Sequence, residues 1–298
     1  MAKPKTFDGY DERLTLNCER LLVTLLRGLG PWKDSVYLIG GLTPRYLVNA
    51  SGQDVPPHAG TQDVDIVIDL QILADTEAYH TLEENLKKMG FERAENEAGK
   101  KLSWRWKTKT EDDVTVILEL ISESEELGGG KVQALPTEKA ISALNVPHAS
   151  MVFDLYEVRE VQAELLGGNG VASEKIKFAN LVSFTCLKSF AFDQRNERKD
   201  AHDLTYCLQH GTGGITGAKE QFRKELDGKH GATIRSALEI LRKRFASDQK
   251  VEGYQKDGPV AVAKFELGES NEDAIKEQRL LRQREASDVI EQLLRIVS

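Results

Sequence analysis

The sequence predicts an α+β fold: a mixed-sheet domain with flanking helices over residues 1–168, followed by a helical domain over residues 169–298. Three observations carry this. Val36-Tyr-Leu-Ile39 and Val64-Asp-Ile-Val-Ile68 are short apolar or alternating runs of strand length. Amphipathic patterns of helical period surround them. After Gly167-Gly-Asn-Gly170 the pattern turns almost wholly helical.

Taken in order, residues 11–29 set Leu14, Cys18, Leu21, Leu22, Leu25, Leu26 and Leu29 at helical spacing, and Gly30-Pro31 ends the run. A short buried strand over 36–39 leads into Gly40-Gly41, and Pro44 suits the first turn of a helix over 44–49. Residues 51–61, rich in proline and glycine, read as a loop. In the next strand Val64, Ile66 and Ile68 take one face and Asp63, Asp65 and Val67 the other. A second helix is expected over 75–89, ended by Gly90. Strands over 102–107 and 114–121 follow, joined by the charged turn 108–113. Residues 136–146 read as helical or irregular and 151–161 as a sheet edge. Beyond the boundary, helices are expected over 172–192, 232–246 and 271–297, with 260–265 as a stray strand.

Composition narrows the class. At 298 residues, 40% hydrophobic and 30% charged, the chain has an ordinary globular balance with room for two cores. Its apolar runs fall far short of the roughly 20 residues a membrane-spanning helix needs. The first ten residues lack the apolar centre of a secretory signal. A cytoplasmic protein without membrane partners is the expectation. Cys18, Cys186 and Cys207 are too scattered for a disulfide framework or a cysteine-rich zinc site. The net charge of −8 does not favour adhesion to nucleic acid along the whole chain. Lys219, Arg223, Lys224, Arg235 and Arg242-Lys-Arg244 form either a local RNA-facing patch or the ordinary polar faces of helices.

The chemistry lies in the acids. Side chains two apart on a strand share a face with their backbones about 7 Å apart, so Asp63 and Asp65 can converge on one cation. Magnesium takes carboxylate oxygens and keeps waters that a nucleotide phosphate displaces. Two such ions about 4 Å apart suit the displacement of pyrophosphate. A third carboxylate is wanted, and Glu119, a lone charge near the end of an apolar strand, is the natural candidate. Asp112 and Asp113 compete for that place from a polar turn. Asp69, at the end of its strand, reads as a cap. Taken singly, Asp63 and Asp65 read as the solvent side of an edge strand rather than as ligands. Gly40 and Gly41 change the balance, because glycines after a strand let backbone amides approach a triphosphate, and Thr43 adds a hydroxyl donor or a helix cap.

This conjunction resembles the DNA polymerase beta-type nucleotidyltransferase superfamily, whose signature is a glycine pair, an Asp-x-Asp and a later strand acid. The matching positions are Gly40, Gly41, Asp63, Asp65 and Glu119. The resemblance implies a nucleotidyltransferase mixed sheet, a two-metal magnesium site and a nucleoside triphosphate substrate.

The segment Lys188 to Leu204 is the second informative stretch. On one straight helix Lys188 and Asp200 would lie about 120° apart and could not share a site. The polar run 193–198 makes a break plausible, with a second helix starting near Lys199 and folding Asp200 back toward Lys188, while Asp200 and Asp203 share a face. An inter-helix ion-pair network accounts for the same residues. A lysine, an arginine-containing turn and Lys-Asp-x-x-Asp-Leu resemble the AbiEii-type nucleotidyltransferase toxins of type IV toxin-antitoxin or abortive-infection systems. That resemblance covers residues 33–210 and implies that Lys188 contacts nucleotide phosphates and that Asp200 is a catalytic or positioning acid, with Arg195 and Asp203 in support. His202-Asp203 also suits a metal-binding doublet, but the other histidines show no helpful spacing, so His202 is expected to face solvent.

The expected function is thus a Mg²⁺-dependent transfer of a nucleoside monophosphate to RNA, tRNA or a protein, by a toxin with a possible cognate antitoxin. The expected catalytic set is Asp63, Asp65, Glu119, Lys188 and Asp200, with Gly40, Gly41, Thr43, Lys188 and Arg195 on the nucleotide. The site is expected in the cleft between the two domains. The alternatives are a non-catalytic nucleotide-binding or regulatory module, a nucleotidyltransferase acting on a small molecule such as an antibiotic, and a structural interaction protein.

Overall fold

A computed structural model describes residues 4–49, 55–76, 81–135 and 138–296. The chain forms two compact units, each discontinuous in sequence: one of residues 11–43 and 60–180, the other of residues 1–10, 44–59 and 181–298. The architecture is α+β, with a mixed sheet and flanking helices. The division expected after residue 168 falls instead after Asn180. The reason is strand β9 (Val171–Ala179), which the periodicity assigned to a helix. Glu174, Ile176 and Phe178 are buried and alternate with Lys175 and Lys177, a period-two pattern that belongs to the sheet.

In the sheet unit, α1 (Glu12–Leu29) is capped by the Asp11 carboxylate, which accepts from Arg13 N, and it buries Cys18, Leu21, Leu22, Leu25, Leu26 and Leu29. It ends as expected at Gly30, whose φ of 59° is open to glycine. Then come β1 (Val36–Ile39) and β2 (Asp63–Ile68), short helices α3 (Leu70–Asp75) and α4 (Leu82–Lys88), and strands β3 (Glu92–Glu95), β4 (Lys101–Lys109), β5 (Thr115–Ser122), β6 (Val132–Leu135), β7 (Glu138–Asn145) and β8 (Tyr156–Glu164). Among the described residues the nine strands make one sheet in the order β3-β4-β5-β2-β1-β9-β8, with β7 pairing β5 and β6. β2 lies between β1, antiparallel, and β5, parallel. Val64, Ile66, Ile68, Leu118 and Leu120 are buried and form the floor beneath the helices, which leaves the faces of Asp63, Asp65 and Glu119 turned the other way.

The helical unit contains α2 (Pro44–Leu47), α5 (Leu181–Arg195), α6 (Arg198–His210), α7 (Gly214–Glu225), α8 (Gly231–Phe245), α9 (Asp257–Leu267) and α10 (Asp273–Leu294). The break between α5 and α6 falls where the polar run placed it, with Asn196 at a positive φ of 55°.

Other expectations are corrected. Residues 260–265 are not a strand but part of α9, which buries Ala261, Val262, Ala263 and Phe265, because a short, mostly apolar run reads the same in either state. Residues 138–145 form β7 between β5 and β6, so pairing overrides the weak strand propensity of its alanines. The edge expected over 151–161 is a 3₁₀ turn, Ala149–Phe153, followed by β8. Residues 51–54 of the expected loop, 77–80 of the expected helix over 75–89, and 136–137 lie outside the described residues. No helix among the described residues is long and apolar enough to cross a membrane.

The β9 assignment has a measurable consequence. Phe178 is 1% exposed and is the Cα partner of Leu38, whereas Lys175 is exposed. Phe178→Ala should cost about 3–5 kcal/mol in denaturant unfolding, and Lys175→Ala no more than about 0.5 kcal/mol. Equal costs at the two positions would contradict the alternation.

Candidate active site

Register assembles the acidic cluster. Ile39 of β1 is the Cα partner of Asp65, and Asp65 is in turn the partner of Glu119 on β5. Asp63, Asp65 and Glu119 therefore share one face, and their carboxylate oxygens lie within 4.8 Å of one another. The register brings together all three sequence-predicted metal ligands. All are hard oxygen donors, the set that magnesium takes. Asp112 and Asp113 stay in an exposed turn, where Asp113 pairs with Lys109. Asp69 caps α3, accepting from Gln71 N and Ile72 N.

Gly40 stands one residue beyond the partner of Asp65. Its φ is 74°, and a Cβ there would lie 1.9 Å from Asp65 Oδ2. The glycine is thus required twice, by its backbone and by the carboxylate packed against it. Gly41 is buried in the 3₁₀ turn Gly40–Leu42, and Thr43 N donates to Gly40 O at 3.2 Å. The Thr43 side chain is fully buried, and its hydroxyl has no hydrogen-bond partner among the described residues. A buried hydroxyl in that state is a donor held ready for a ligand or a water.

Four residues that sequence reasoning passed over complete this site. The Thr61 hydroxyl donates to Asp63 Oδ1 at 2.9 Å, and Thr61 N donates to Thr15 Oγ1 at 3.0 Å. Thr15 and Cys18 lie one turn apart on α1, and Cys18 Sγ reaches Thr61 O. Burial pushes the Cys18 thiol well up, and the carboxylates of Asp63 and Asp65 push it further. Arg105, the partner of Glu119 on β4, holds Nε 3.0 Å from Glu119 Oε1. Its N–H is not aligned for a hydrogen bond, so the contact is one of charge. Only pairing could reveal Arg105, since nothing in the sequence marks it.

The helical unit brings the other candidates together. Lys188 Nζ donates to Asp200 Oδ1 at 2.9 Å and to Asp203 Oδ2 at 2.7 Å. Arg195 clamps Asp200 with Nε and Nη2 at 2.7 and 2.8 Å. Lys199 reaches both oxygens of Asp203. Burial raises the carboxyl of Asp203, but Lys188 and Lys199 more than reverse it and leave it well below the usual range. Burial lowers the Lys188 ammonium, yet the two aspartates outweigh that and hold it raised. The ammonium assigned by resemblance to nucleotide phosphates thus has two carboxylate partners, in the ion-pair network that was the other reading of this segment.

His202 does not face solvent. It is 3% exposed, and His58, from a segment 144 residues earlier, stacks on it at 5.5 Å. Its Nδ1 lies 2.9 Å from Glu266 Oε1, and Arg282 grips the same carboxylate. His58 Nε2 lies 2.9 Å from Asp203 Oδ1. That contact favours a charged imidazole, but burial acts more strongly, and Lys199 and His202 add to it, so His58 titrates at about 4. His58, His202 and Asp203 are close enough to hold a cation, but two ammonium groups already neutralise Asp203. The acids of β2 and β5 offer an all-carboxylate set instead, the donors a hard divalent cation takes. Of the basic residues, Arg242 and Lys243 are exposed while Arg244 bridges Asp193 and Asp257.

Compared with protein-family models, curated proteins and solved structures, the chain matches none.

Two outcomes follow from this geometry. Gly40→Ala must displace the Asp65 carboxylate, so Mn²⁺ affinity, read by calorimetry, should fall about tenfold to a hundredfold. Unchanged affinity would show that Asp65 is not a ligand. His58 binds its proton near 6.5 when unfolded but near 4 when folded. The stability present above pH 6.5 should therefore decline as pH falls toward 4, by up to about 3 kcal/mol from this residue. His58→Gln should flatten that decline in denaturant unfolding at pH 7 and 5, and an unchanged slope would place the loss elsewhere.

Proposed function

We propose that the protein is a magnesium-dependent nucleotidyltransferase that moves a nucleoside monophosphate from a nucleoside triphosphate onto an acceptor hydroxyl. The observation that supports this reading above the others is the convergence of Asp63, Asp65 and Glu119, with Gly40 fitted against Asp65 where no Cβ can go. Bound magnesium supplies charge neutralisation for the triphosphate and polarises the reacting phosphorus. Asp63 and Asp65 hold the cation, and the Thr61 hydroxyl fixes one oxygen of Asp63. The Gly40-Gly41 turn offers backbone N–H groups with no side chain in front of them, as a phosphate requires. Thr43 adds a buried hydroxyl donor. Glu119, with its charge countered by Arg105, completes the acidic set or accepts the proton of the acceptor hydroxyl. The hydroxyl oxygen bonds to the α-phosphorus, the bridge to the β-phosphate breaks, and pyrophosphate leaves.

The resemblance to AbiEii-type toxins, carried by Lys188, Arg195, Asp200 and Asp203, makes growth arrest the biological role. RNA, tRNA or a protein would then be the acceptor, and an antitoxin the partner. A second reading, a nucleotide-binding module without catalysis, draws on the fact that Lys188 and Glu119 both have oppositely charged partners within the chain.

Incubation with Mg²⁺, each α-labelled triphosphate and cellular RNA and protein separates the two. Label transfer should appear with the wild type and fall to background with Asp63→Asn and Asp65→Asn, both of which remove a cation ligand but keep the side-chain shape. Nucleotide binding without transfer would favour the module. Neither binding nor transfer would overturn the reading altogether.

A further inference from the structure

The outer edge of the sheet carries an inference that does not rest on the acidic site. β8 ends the strand order beyond β9, and among the described residues no strand pairs along its other side. It pairs with β9 through nine consecutive residues without a bulge. Residues 156–160 are all exposed, and two of them are large and apolar: Tyr156 at 38% and Val158 at 53%. A long, regular edge with exposed apolar side chains is a template for another strand, and proteins that stay monomeric blunt it with proline, bulges or charged side chains, lysine above all. The run Tyr-Glu-Val-Arg-Glu-Val-Gln-Ala-Glu has no proline, bulge or lysine, and its charges are of both signs.

Charge then identifies the occupant. Glu157 and Arg159 make no ion pair or side-chain hydrogen bond with any described residue. When a second copy of β8 is laid antiparallel with Val158 opposite its own equivalent, Glu157 falls opposite Arg159 of the second copy and Arg159 opposite its Glu157. Tyr156 then falls opposite Glu160. Moving the centre one residue either way sets Glu157 against Glu157 or Arg159 against Arg159, and directly opposed like charges destabilise a strand pair. The edge is self-complementary in one register, and a two-fold axis through Val158 satisfies both copies at once.

We propose that β8 is a homodimerisation edge, through which two copies of this chain join their sheets antiparallel about Val158. Sedimentation equilibrium of the full chain over a range of concentrations tests it. The wild type should show a monomer–dimer equilibrium. Glu157→Arg and Arg159→Glu, each alone, should weaken it about tenfold or more, because each opposes like charges. The double variant, which exchanges the two charges, should return to within about threefold of wild type. Val158→Asp, which sets two carboxylates at the centre, should abolish the dimer. All three sites are exposed, and unchanged thermal unfolding of each variant would confirm that folding is intact. A wild type that stays monomeric at the highest concentration, single variants that associate like wild type, or a double variant no better than the singles would each overturn the proposal.

Discussion

The acidic cluster depends on the register of β2 between its two neighbours. Because side chains alternate along a strand, a slip of one residue against β1 or β5 would send Asp63 and Asp65 into the apolar floor and bring Val64 and Ile66 out. Both partners pin the same position, since Asp65 is matched to Ile39 on one side and to Glu119 on the other. The cost of burying a carboxylate in the wrong face and the loss of packed aliphatic area act together, so the hydrophobic pattern itself positions the chemistry. Gly40 adds a steric lock, and Thr15 and Cys18 on α1 hold the loop that delivers the strand.

The two clusters of charge solve opposite problems. In the helical unit, Asp200 and Asp203 are matched by Lys188, Lys199 and Arg195, so nearly every charge is met within hydrogen-bond distance. Such a network holds α5 and α6 in one arrangement, because loss of any member strands its partner in a buried place. In the sheet unit the carboxylates of Asp63, Asp65 and Glu119 converge on one face, with Arg105 against Glu119. Converging hard oxygen donors are the kind of set a divalent cation takes.

Local pattern revealed the elements of the site but not its closure. The alternation of Val64, Ile66 and Ile68 with Asp63 and Asp65 gave the face, and the lone charge of Glu119 on an apolar strand pointed to the third acid. The polar run after Phe192 gave the break that returns Asp200 to Lys188. What remained hidden depends on pairing across long separations. Arg105 acquires meaning only opposite Glu119, and His58 only beside Asp203, because neither has a local motif. β9 was misread because Phe178 continues the helical spacing of Leu181 and Val182, and a shared apolar residue at a strand–helix junction fits both periods. His202 was misplaced because no histidine spacing in the sequence marks a partner for it, whereas His58, Phe7 and Phe265, all distant in sequence, pack on its ring.

The discontinuity of the helical unit bears on how this chain is made. Phe7 packs on Phe265, Val48 bridges to Gly211, and the Tyr206 hydroxyl donates to Pro56 O. Residues synthesised first therefore wait for helices synthesised last, and contacts this distant in sequence are slow to close. No single cut yields either unit whole: ending the chain at 180 would leave Phe7 and His58 without their partners, and starting it at 181 would take from α6 and α9 the segments that cover them. The chain is one folding problem distributed over two cores, and its last helices govern when its first residues find their place.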